Sequence, residues 1–209
     1  MVVVDAKGDP PPAEAVKLAA EALTVGDIVG IPTDTVYGLA ANPFHSGASD
    51  RLFRVKGRPR RLDLPVLVSG EEQALSLCTA VPSAARRLME RFWPGPLTLV
   101  LPRRPDLVAD LGEDDATIGI RCPAHPVPLA ICAAVGPVAT TSANRHGCPP
   151  LTDAQAVALE LGEEVAVVLD AGTCSGLASS VVDCTGEDPK QLRQGPLAWA
   201  EMTRAIAGR

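Results

Sequence analysis

Short apolar segments alternate with longer amphipathic segments along most of the 209 residues, and this alternation limits the possible folds more than any other feature. The segment 13–24 has apolar residues at helical spacing and a glycine beyond its end, which predicts a helix. The segment 27–31 is short and apolar, which predicts a strand. Further strands are predicted over 64–68, 97–101, 117–121, 138–141, 165–170, 179–183 and 190–193, and further helices over 48–56, 71–77, 82–92, 126–135, 152–161 and 197–207.

No long linker interrupts this order, so we expect a single α/β domain over residues 1–209. Its helices are expected to pack on a twisted, mixed, open sheet.

The composition excludes several classes of protein. Hydrophobic residues make up 46% of the chain and no apolar run reaches the length of a membrane span, so no membrane partner is expected. The N-terminus lacks the features of a signal peptide, which predicts a cytoplasmic protein with reduced cysteines. The six cysteines and three histidines show no metal-ligand spacing, so no metal site is expected. The net charge of −6 argues against a general nucleic-acid coat.

One segment departs from this acidic average. Residues 51–61 include six basic residues, yet interspersed apolar residues indicate the end of a packed helix. Gly57 suits a left-handed cap and Pro59 cannot continue the helix. Lys56 and Arg58 are therefore expected at an exposed helix exit, where an ammonium and a two-pronged guanidinium suit a phosphate or carboxylate. The alternative is a solvated helix end whose cations are favoured by the helix dipole.

Polar residues gather where several predicted strands begin or end, at 33–37, 117–121, 140–144 and 179–183. Ligand sites in open α/β sheets form at strand ends, so the pattern predicts one shared cleft. For the first cluster the alternative is an ordinary turn, in which Thr33 and Asp34 bond their own backbone.

Five segments resemble motifs of the YrdC family of threonylcarbamoyl-adenylate synthases. They are Pro32-Thr33-Asp34-Thr35-Val36-Tyr37-Gly38-Leu39, Lys56-Gly57-Arg58-Pro59, Phe92-Trp93-Pro94-Gly95-Pro96-Leu97-Thr98-Leu99, Thr117 to Arg121, and Ser142-Ala143-Asn144. They follow one another in the family's order within about residues 27–195, and together they are far more specific than any one alone. The resemblance implies the short, single-domain form of this family, with a YrdC-like fold.

The resemblance also implies a reaction. L-Threonine, bicarbonate and ATP, with Mg²⁺, give threonylcarbamoyl-adenylate and pyrophosphate, and a tRNA-modifying transferase complex is the implied partner that accepts the adenylate. The chain presents no evident histidine, cysteine or serine nucleophile, which suits a reaction run by positioning and charge neutralisation.

Residue roles follow from the same resemblance. Lys56 and Arg58 are the implied catalytic residues. ATP contacts are implied for Lys56, Arg58, Thr117, Ser142, Asn144 and Arg193, and threonine contacts for Thr35, Arg121, Thr141 and Ser180. The structural alternatives are a turn at Ser142 and Asn144, a strand-surface hydroxyl at Ser180 and a surface charge at Arg193.

The chain departs from the family pattern at Arg61-Leu62-Asp63, where Leu62 is expected to remove a nucleotide contact, and at Ala178, where an acid is usual. Two other functions therefore stay open. One is a carbamoyl-adenylate-forming relative with another substrate. The other is a module that holds tRNA or double-stranded RNA weakly through phosphate contacts of residues 51–61. The low aromatic content of 3% argues against base stacking in such a module.

Overall fold

A computed structural model describes residues 1–208, which form a single-domain α/β fold. The strands are β1 (Val2–Asp5), β2 (Val29–Ile31), β3 (Gly38–Ala41), β4 (Val66–Leu67), β5 (Leu97–Pro102), β6 (Thr117–Arg121), β7 (Val138–Ser142), β8 (Val167–Asp170), β9 (Ser180–Asp183) and β10 (Lys190–Arg193). The helices are α1 (Ala13–Thr24), α2 (Ala48–Lys56), α3 (Glu71–Leu77), α4 (Ser83–Phe92), α5 (Pro126–Val135), α6 (Ala154–Leu161) and α7 (Trp199–Ile206).

All ten strands join one open sheet in the order β1-β8-β2-β3-β7-β4-β6-β5-β9-β10. The strand pairs β1–β8, β2–β8, β4–β6 and β5–β9 are parallel, and the other five pairs are antiparallel. The predicted mixed, open α/β sheet is therefore confirmed. Of the helices between residues 1 and 208, none has the length and apolar character needed to cross a membrane.

Aliphatic side chains cover both faces of the sheet, because successive residues of a strand point to opposite sides. In β3, Leu39 belongs to a cluster with Leu52 of α2, while Ala40 belongs to a second cluster with Leu23 of α1. Burial on both faces explains why the central strands are almost continuously apolar rather than alternating.

Two strands were not predicted. The β1 segment has three consecutive valines, so its strand character was available in the sequence. The β3 segment, Gly-Leu-Ala-Ala, has little strand propensity and forms a strand because it is buried between β2 and β7.

The pairing of β3 with β7 also builds the site. It sets Leu39 opposite Thr141 and Gly38 opposite Ser142, so the loop before β3 lies beside the end of β7.

Candidate active site

A cavity of about 360 Å³ opens where these strand ends meet. Its lining comes from the loop before β3, the segment after α2, strands β5, β6 and β7, and the residues around β9 and β10. All four predicted polar clusters contribute, which confirms the shared cleft. Of the predicted site residues, the lining contains Thr35, Arg58, Thr117, Arg121, Thr141, Ser142 and Arg193.

Arg121 is held at the cavity wall by three protein acceptors. Its Nε donates to the carbonyl of Gly95 at 3.0 Å and its Nη1 to the Thr35 hydroxyl at 2.8 Å. Its Nη2 forms a buried ion pair with Asp34. A guanidinium has five N–H donors, so two remain after these three bonds. The side chain is therefore fixed in place and still has donors for an anion in the cavity.

The Thr35 hydroxyl is held by a hydrogen bond of 2.8 Å with the Thr33 hydroxyl. The Thr33 hydroxyl accepts the backbone N–H of Thr35 at 3.1 Å and of Val36 at 3.2 Å. For Thr33 the structural alternative is therefore correct, since this hydroxyl closes a local turn. Tyr37 anchors the loop in the protein interior, because its hydroxyl donates to the carbonyl of Gly172 at 2.9 Å.

Arg58 is held by the chain that follows it. Its Nε donates to the carbonyl of Leu62 at 2.7 Å and its Nη2 to the carbonyl of Asp63 at 2.9 Å. The Asp63 carboxylate in turn accepts the backbone N–H groups of Glu113 and Asp114 at 2.9 and 3.2 Å. Two backbone carbonyls and one carboxylate thus hold Arg58 and its supporting segment at the cavity wall.

The acidic loop 106–115 does more than carry solvated charge. The loop docks on Asp63, and Asp110 pairs with Arg60. Its Asp114 accepts the hydroxyl hydrogen of Thr117 at 2.5 Å, and this bond lowers the pKa of the Asp114 carboxyl. The loop therefore orients Thr117, a predicted nucleotide contact.

Three guanidiniums, those of Arg58, Arg121 and Arg193, meet at the cavity. Burial lowers the pKa of Arg58 and of Arg121, and the positive charge of Arg193 lowers both further. Asp63 raises the pKa of Arg58 and Asp34 raises that of Arg121, which opposes part of this effect. Because three guanidiniums outnumber the two nearby carboxylates of Asp34 and Asp63, the cavity favours an anionic ligand.

Lys56 is buried, with 3% of its surface exposed, so the predicted exposed helix exit is wrong for this residue. The left-handed cap at Gly57 is confirmed (φ 60°, ψ 30°). The Lys56 ammonium donates to the Ser142 carbonyl at 2.7 Å, to the Asn144 side-chain oxygen at 3.0 Å and to the Asn144 carbonyl. Burial lowers the pKa of Lys56 to about 8, and the nearby charge of Arg58 adds to the shift.

The cavity lining does not include Lys56, Asn144 or Ser180. Lys56 and Asn144 instead bind each other beneath Ser142, which does reach the cavity. The Ser180 hydroxyl accepts the backbone N–H groups of Gly195 and Leu197 at 3.1 and 3.2 Å. Ser180 is fully buried, so the strand-surface hydroxyl of the structural alternative is wrong, and its contact with threonine stays a prediction.

The lining also contains residues that were not assigned from sequence, among them Asp63, Thr98, Gly119 and Ser179. Gly119 lies between Thr117 and Arg121 on the same face of β6, so period-two spacing points to it once the face is known. Nothing local distinguishes Thr98 or Ser179 from other strand hydroxyls.

Carboxylates pair with part of the basic segment 51–61. Arg51 contacts Asp27 at 2.9 Å, and Arg60 pairs with both Asp50 and Asp110. These pairs reduce the positive charge that the segment offers to a nucleic acid.

Within residues 1–208, no group of three or more histidine, cysteine, aspartate or glutamate side chains is placed to hold a metal ion. All six cysteines are free thiols.

A cavity at the strand ends of a mixed sheet, with three guanidiniums facing it, defines an α/β protein with a site suited to anionic small molecules. Residues 21–195 match the Sua5–YciO–YrdC family profile, whose description is telomere recombination. The chain belongs to the Sua5–YciO–YrdC family, as its motifs predicted.

Several relatives carry a functional name. A putative threonylcarbamoyl-AMP synthase of Mycobacterium tuberculosis (strain H37Rv) is 43% identical over 189 residues, covering 90% of this chain and 87% of that protein. The threonylcarbamoyl-AMP synthase of Bacillus subtilis (strain 168) is 38% identical over 193 residues, covering 91% of this chain and 56% of that protein. The crystal structure of P. abyssi Sua5 complexed with L-threonine superposes with a TM-score of 0.92 at 34% identity. It covers 99% of this chain, which spans 61% of that longer protein.

Proposed function

We propose that this protein makes threonylcarbamoyl-AMP from L-threonine, bicarbonate and ATP and releases pyrophosphate. The observation that carries the proposal is the convergence of Arg58, Arg121 and Arg193 on one cavity, since a carboxylate and a triphosphate both need such cations. The names of the M. tuberculosis and B. subtilis relatives support it, as does the threonine bound by P. abyssi Sua5.

The threonine site in this proposal is the wall formed by Thr35, Arg121 and Thr141. The two remaining N–H donors of Arg121 bind the carboxylate, and buried hydroxyls bind the amine or the hydroxyl of the substrate. Asp34 and Gly95 hold the guanidinium in place before threonine arrives, so binding does not require Arg121 to reorganise.

The nucleotide site in this proposal is the adjoining part of the cavity, with Arg58, Thr117, Ser142 and Arg193 as phosphate or ribose contacts. Lys56 has an indirect role in this proposal. Its ammonium holds the backbone carbonyls of residues 142 and 144 and thereby fixes the Ser142 hydroxyl. Asn144 shares this positioning role through its side-chain oxygen.

The chemistry needs no enzyme nucleophile. The amine of threonine and bicarbonate form a carbamate with loss of water, and a carbamate oxygen attacks the α-phosphorus of ATP while pyrophosphate leaves. The guanidiniums neutralise charge on the triphosphate as it separates.

Mg²⁺ belongs to the proposal as a companion of ATP. Mg²⁺ at nucleotide sites is usually held by substrate phosphates and one or two carboxylates, and when bound it neutralises phosphate charge. Asp63 is the acidic side chain in the cavity lining as far as residue 208, so it is the candidate carboxylate. The donor set therefore fits a metal carried by the nucleotide.

The product is a mixed anhydride, so the proposal requires an acceptor system, and we propose the transferase complex that modifies a tRNA adenosine. A cytoplasmic location suits this role and the six free thiols. Weak tRNA or double-stranded RNA contact stays a prediction, and the carboxylate partners of Arg51 and Arg60 make a strong contact less favourable.

The test is pyrophosphate release from purified protein with ATP, bicarbonate and threonine. We expect release to require all three compounds. Parallel assays with serine and with carbamoyl phosphate test whether the protein uses another substrate. Release that ignores threonine but needs another carbamoyl source would favour the carbamoyl-adenylate relative. No release, together with tight RNA binding at physiological salt, would favour the RNA module.

A further inference from the structure

Arg103 is a buried cation that no assignment above uses. It follows strand β5 and lies outside the cavity lining, and only 4% of its side-chain surface is exposed. Burial of a guanidinium is unfavourable unless hydrogen-bond acceptors surround its N–H groups. Within residues 1–208, the acceptors of the Arg103 side chain all belong to the acidic loop 106–115. The buried charge and the shape of this loop therefore depend on each other.

The Arg103 guanidinium joins the two halves of the acidic loop. In the first half, its Nη2 donates to the carbonyl of Leu107 at 3.1 Å and to that of Ala109. In the second half, its Nη1 donates to the carbonyl of Asp114 at 3.4 Å and lies 3.3 Å from the carboxylate of Asp115. One planar guanidinium thus sets the distance between the two halves. A lysine ammonium, with its three donors on a single nitrogen, reproduces this geometry poorly.

The second half of the loop leads directly to the cavity. The Asp114 carboxylate accepts the backbone N–H of Ala116 at 2.8 Å and the hydroxyl hydrogen of Thr117 at 2.5 Å. Asp114 is therefore held by Arg103 through its carbonyl, while its carboxylate holds the Thr117 hydroxyl. Because one residue makes both contacts, a shift of the loop moves the Thr117 hydroxyl.

The loop also contacts the segment that holds Arg58. The Asp63 carboxylate accepts the backbone N–H groups of residues 113–114. The Asp63 carbonyl accepts Nη2 of Arg58. This contact leaves no space at Gly112, where an added Cβ would overlap the Asp63 carboxylate and lie 2.8 Å from the carbonyl oxygen of Arg60. Since the fit is this close, a displaced loop also displaces Asp63 and the acceptor that it offers to Arg58.

We infer that Arg103 is a positioning residue for the nucleotide site. By holding the two halves of the acidic loop together, Arg103 places the Thr117 hydroxyl and, through Asp63, the Arg58 guanidinium. The identity of the ligand rests on the proposed function, whereas the link from Arg103 to the cavity rests on the contacts themselves. A buried charge is weak evidence for stability, since apolar residues of similar volume often stabilise a fold equally well. The geometry that the guanidinium imposes on the loop therefore explains it better than stability does.

The test compares two substitutions of Arg103 with one at the next residue. Arg103→Met keeps the aliphatic stem and removes the guanidinium, so it should raise the KM for ATP about tenfold and change the KM for threonine less than about twofold. Arg103→Lys restores the charge on a single nitrogen, so it should raise the KM for ATP only about threefold. Arg104→Met is the matched control. Arg104 is exposed and its guanidinium bonds Asp106 and the Ser76 carbonyl, so its loss should leave both KM values unchanged.

Hydrogen exchange reports on the loop independently of activity. The Asp63 carboxylate protects the amides of Glu113 and Asp114. We expect Arg103→Met to speed the exchange of these two amides about tenfold, because the loop opens more often, while the amides of β2 exchange as before. Arg104→Met should leave both sets of amides unchanged.

A double-mutant cycle tests the link to the cavity. Thr117→Val should raise the KM for ATP by itself. Because Arg103 acts partly through the Thr117 hydroxyl, Arg103→Met combined with Thr117→Val should be less impaired than the product of the two single effects.

Several results would overturn the inference. A lower unfolding temperature with an unchanged KM for ATP in Arg103→Met would give Arg103 a structural role only. An equal rise in both KM values, or fully additive effects in the cycle, would contradict the link to the nucleotide site. If Arg103→Met does not fold, Arg103→Lys decides, and an unchanged KM for ATP in that variant would refute the inference.

Calorimetric binding of a non-hydrolysable ATP analogue separates this test from the proposed function. A protein that forms no adenylate, but binds the analogue about tenfold more weakly in Arg103→Met and not in Arg104→Met, would refute the synthase and support the inference. An active synthase whose Arg103→Met variant binds the analogue as tightly as the unaltered protein would keep the proposed function and refute the inference.

Discussion

Replacing Lys56 by methionine tests whether this residue is a buried clamp or an exposed ligand. Methionine keeps most of the aliphatic stem and removes the ammonium, so the carbonyls of Ser142 and Asn144 and the Asn144 side-chain oxygen lose their common donor. The Ser142 carbonyl also accepts the backbone N–H of Asn144 at 3.0 Å, so the two acceptors left without a partner are both on Asn144. Each buried acceptor left without a partner costs roughly 1–3 kcal/mol, or about 4 kcal/mol for two.

Part of this loss is offset, because the charged ammonium is itself unfavourable in its buried position. The pKa of Lys56 falls from 10.5 to about 8, and at 1.36 kcal/mol per unit this corresponds to about 3 kcal/mol at neutral pH. The net destabilisation expected for Lys56→Met is therefore about 1 kcal/mol, which a domain of ordinary stability survives.

Urea unfolding measures this change, and steady-state kinetics measure its effect on the site. We expect a folded variant with a midpoint shifted to lower urea and with a higher KM for ATP, because Ser142 is no longer fixed. Arg54→Met is the matched control, since Arg54 lies on the exposed side of the same helix and should change stability by less than about 0.5 kcal/mol. Unchanged stability in Lys56→Met with turnover reduced more than about tenfold would refute the clamp and restore Lys56 as a direct ligand.

Three further predictions concern the cavity and the core. Arg121→Lys should raise the KM for threonine about tenfold with little change in the KM for ATP, because an ammonium point charge replaces a guanidinium that is held in place by its hydrogen bonds. Equal effects on both KM values would contradict the threonine role of Arg121. Gly119→Leu should abolish binding of both substrates, as measured by calorimetry. Gly119→Ala should be tolerated, since an added Cβ has only ordinary contacts of 3.5 and 3.6 Å to Pro65 and Thr98. Burial raises the pKa of the Cys132 and Cys184 thiols from 9.0 to about 12, so the folded state holds more protons than the unfolded state between these values. Stability is therefore complete below pH 9 and falls above it, by about 1.4 kcal/mol per thiol at pH 10, and urea midpoints that stay level up to pH 10 would contradict this.

Local pattern was enough to predict most of the secondary structure. The predicted bounds of α1, α2, α3, α5, β6 and β10 agree with the structure, because amphipathic spacing, glycine caps and turn residues act within a few positions of one another. Local pattern did not predict strand β3, since Gly38–Ala41 forms a strand only through burial between the neighbouring strands β2 and β7.

Part of the candidate site was likewise predictable from the sequence, and part was not. The sequence determined that polar residues follow or begin several strands, and ligand sites in open α/β sheets form at strand ends, so the shared cleft was predictable. The tertiary structure alone decided that Lys56 is buried beneath Ser142, and that Thr98 and Ser179 meet across β5 and β9. These contacts join residues 81 to 88 positions apart, and strand order and register, which no local window of sequence encodes, set their geometry.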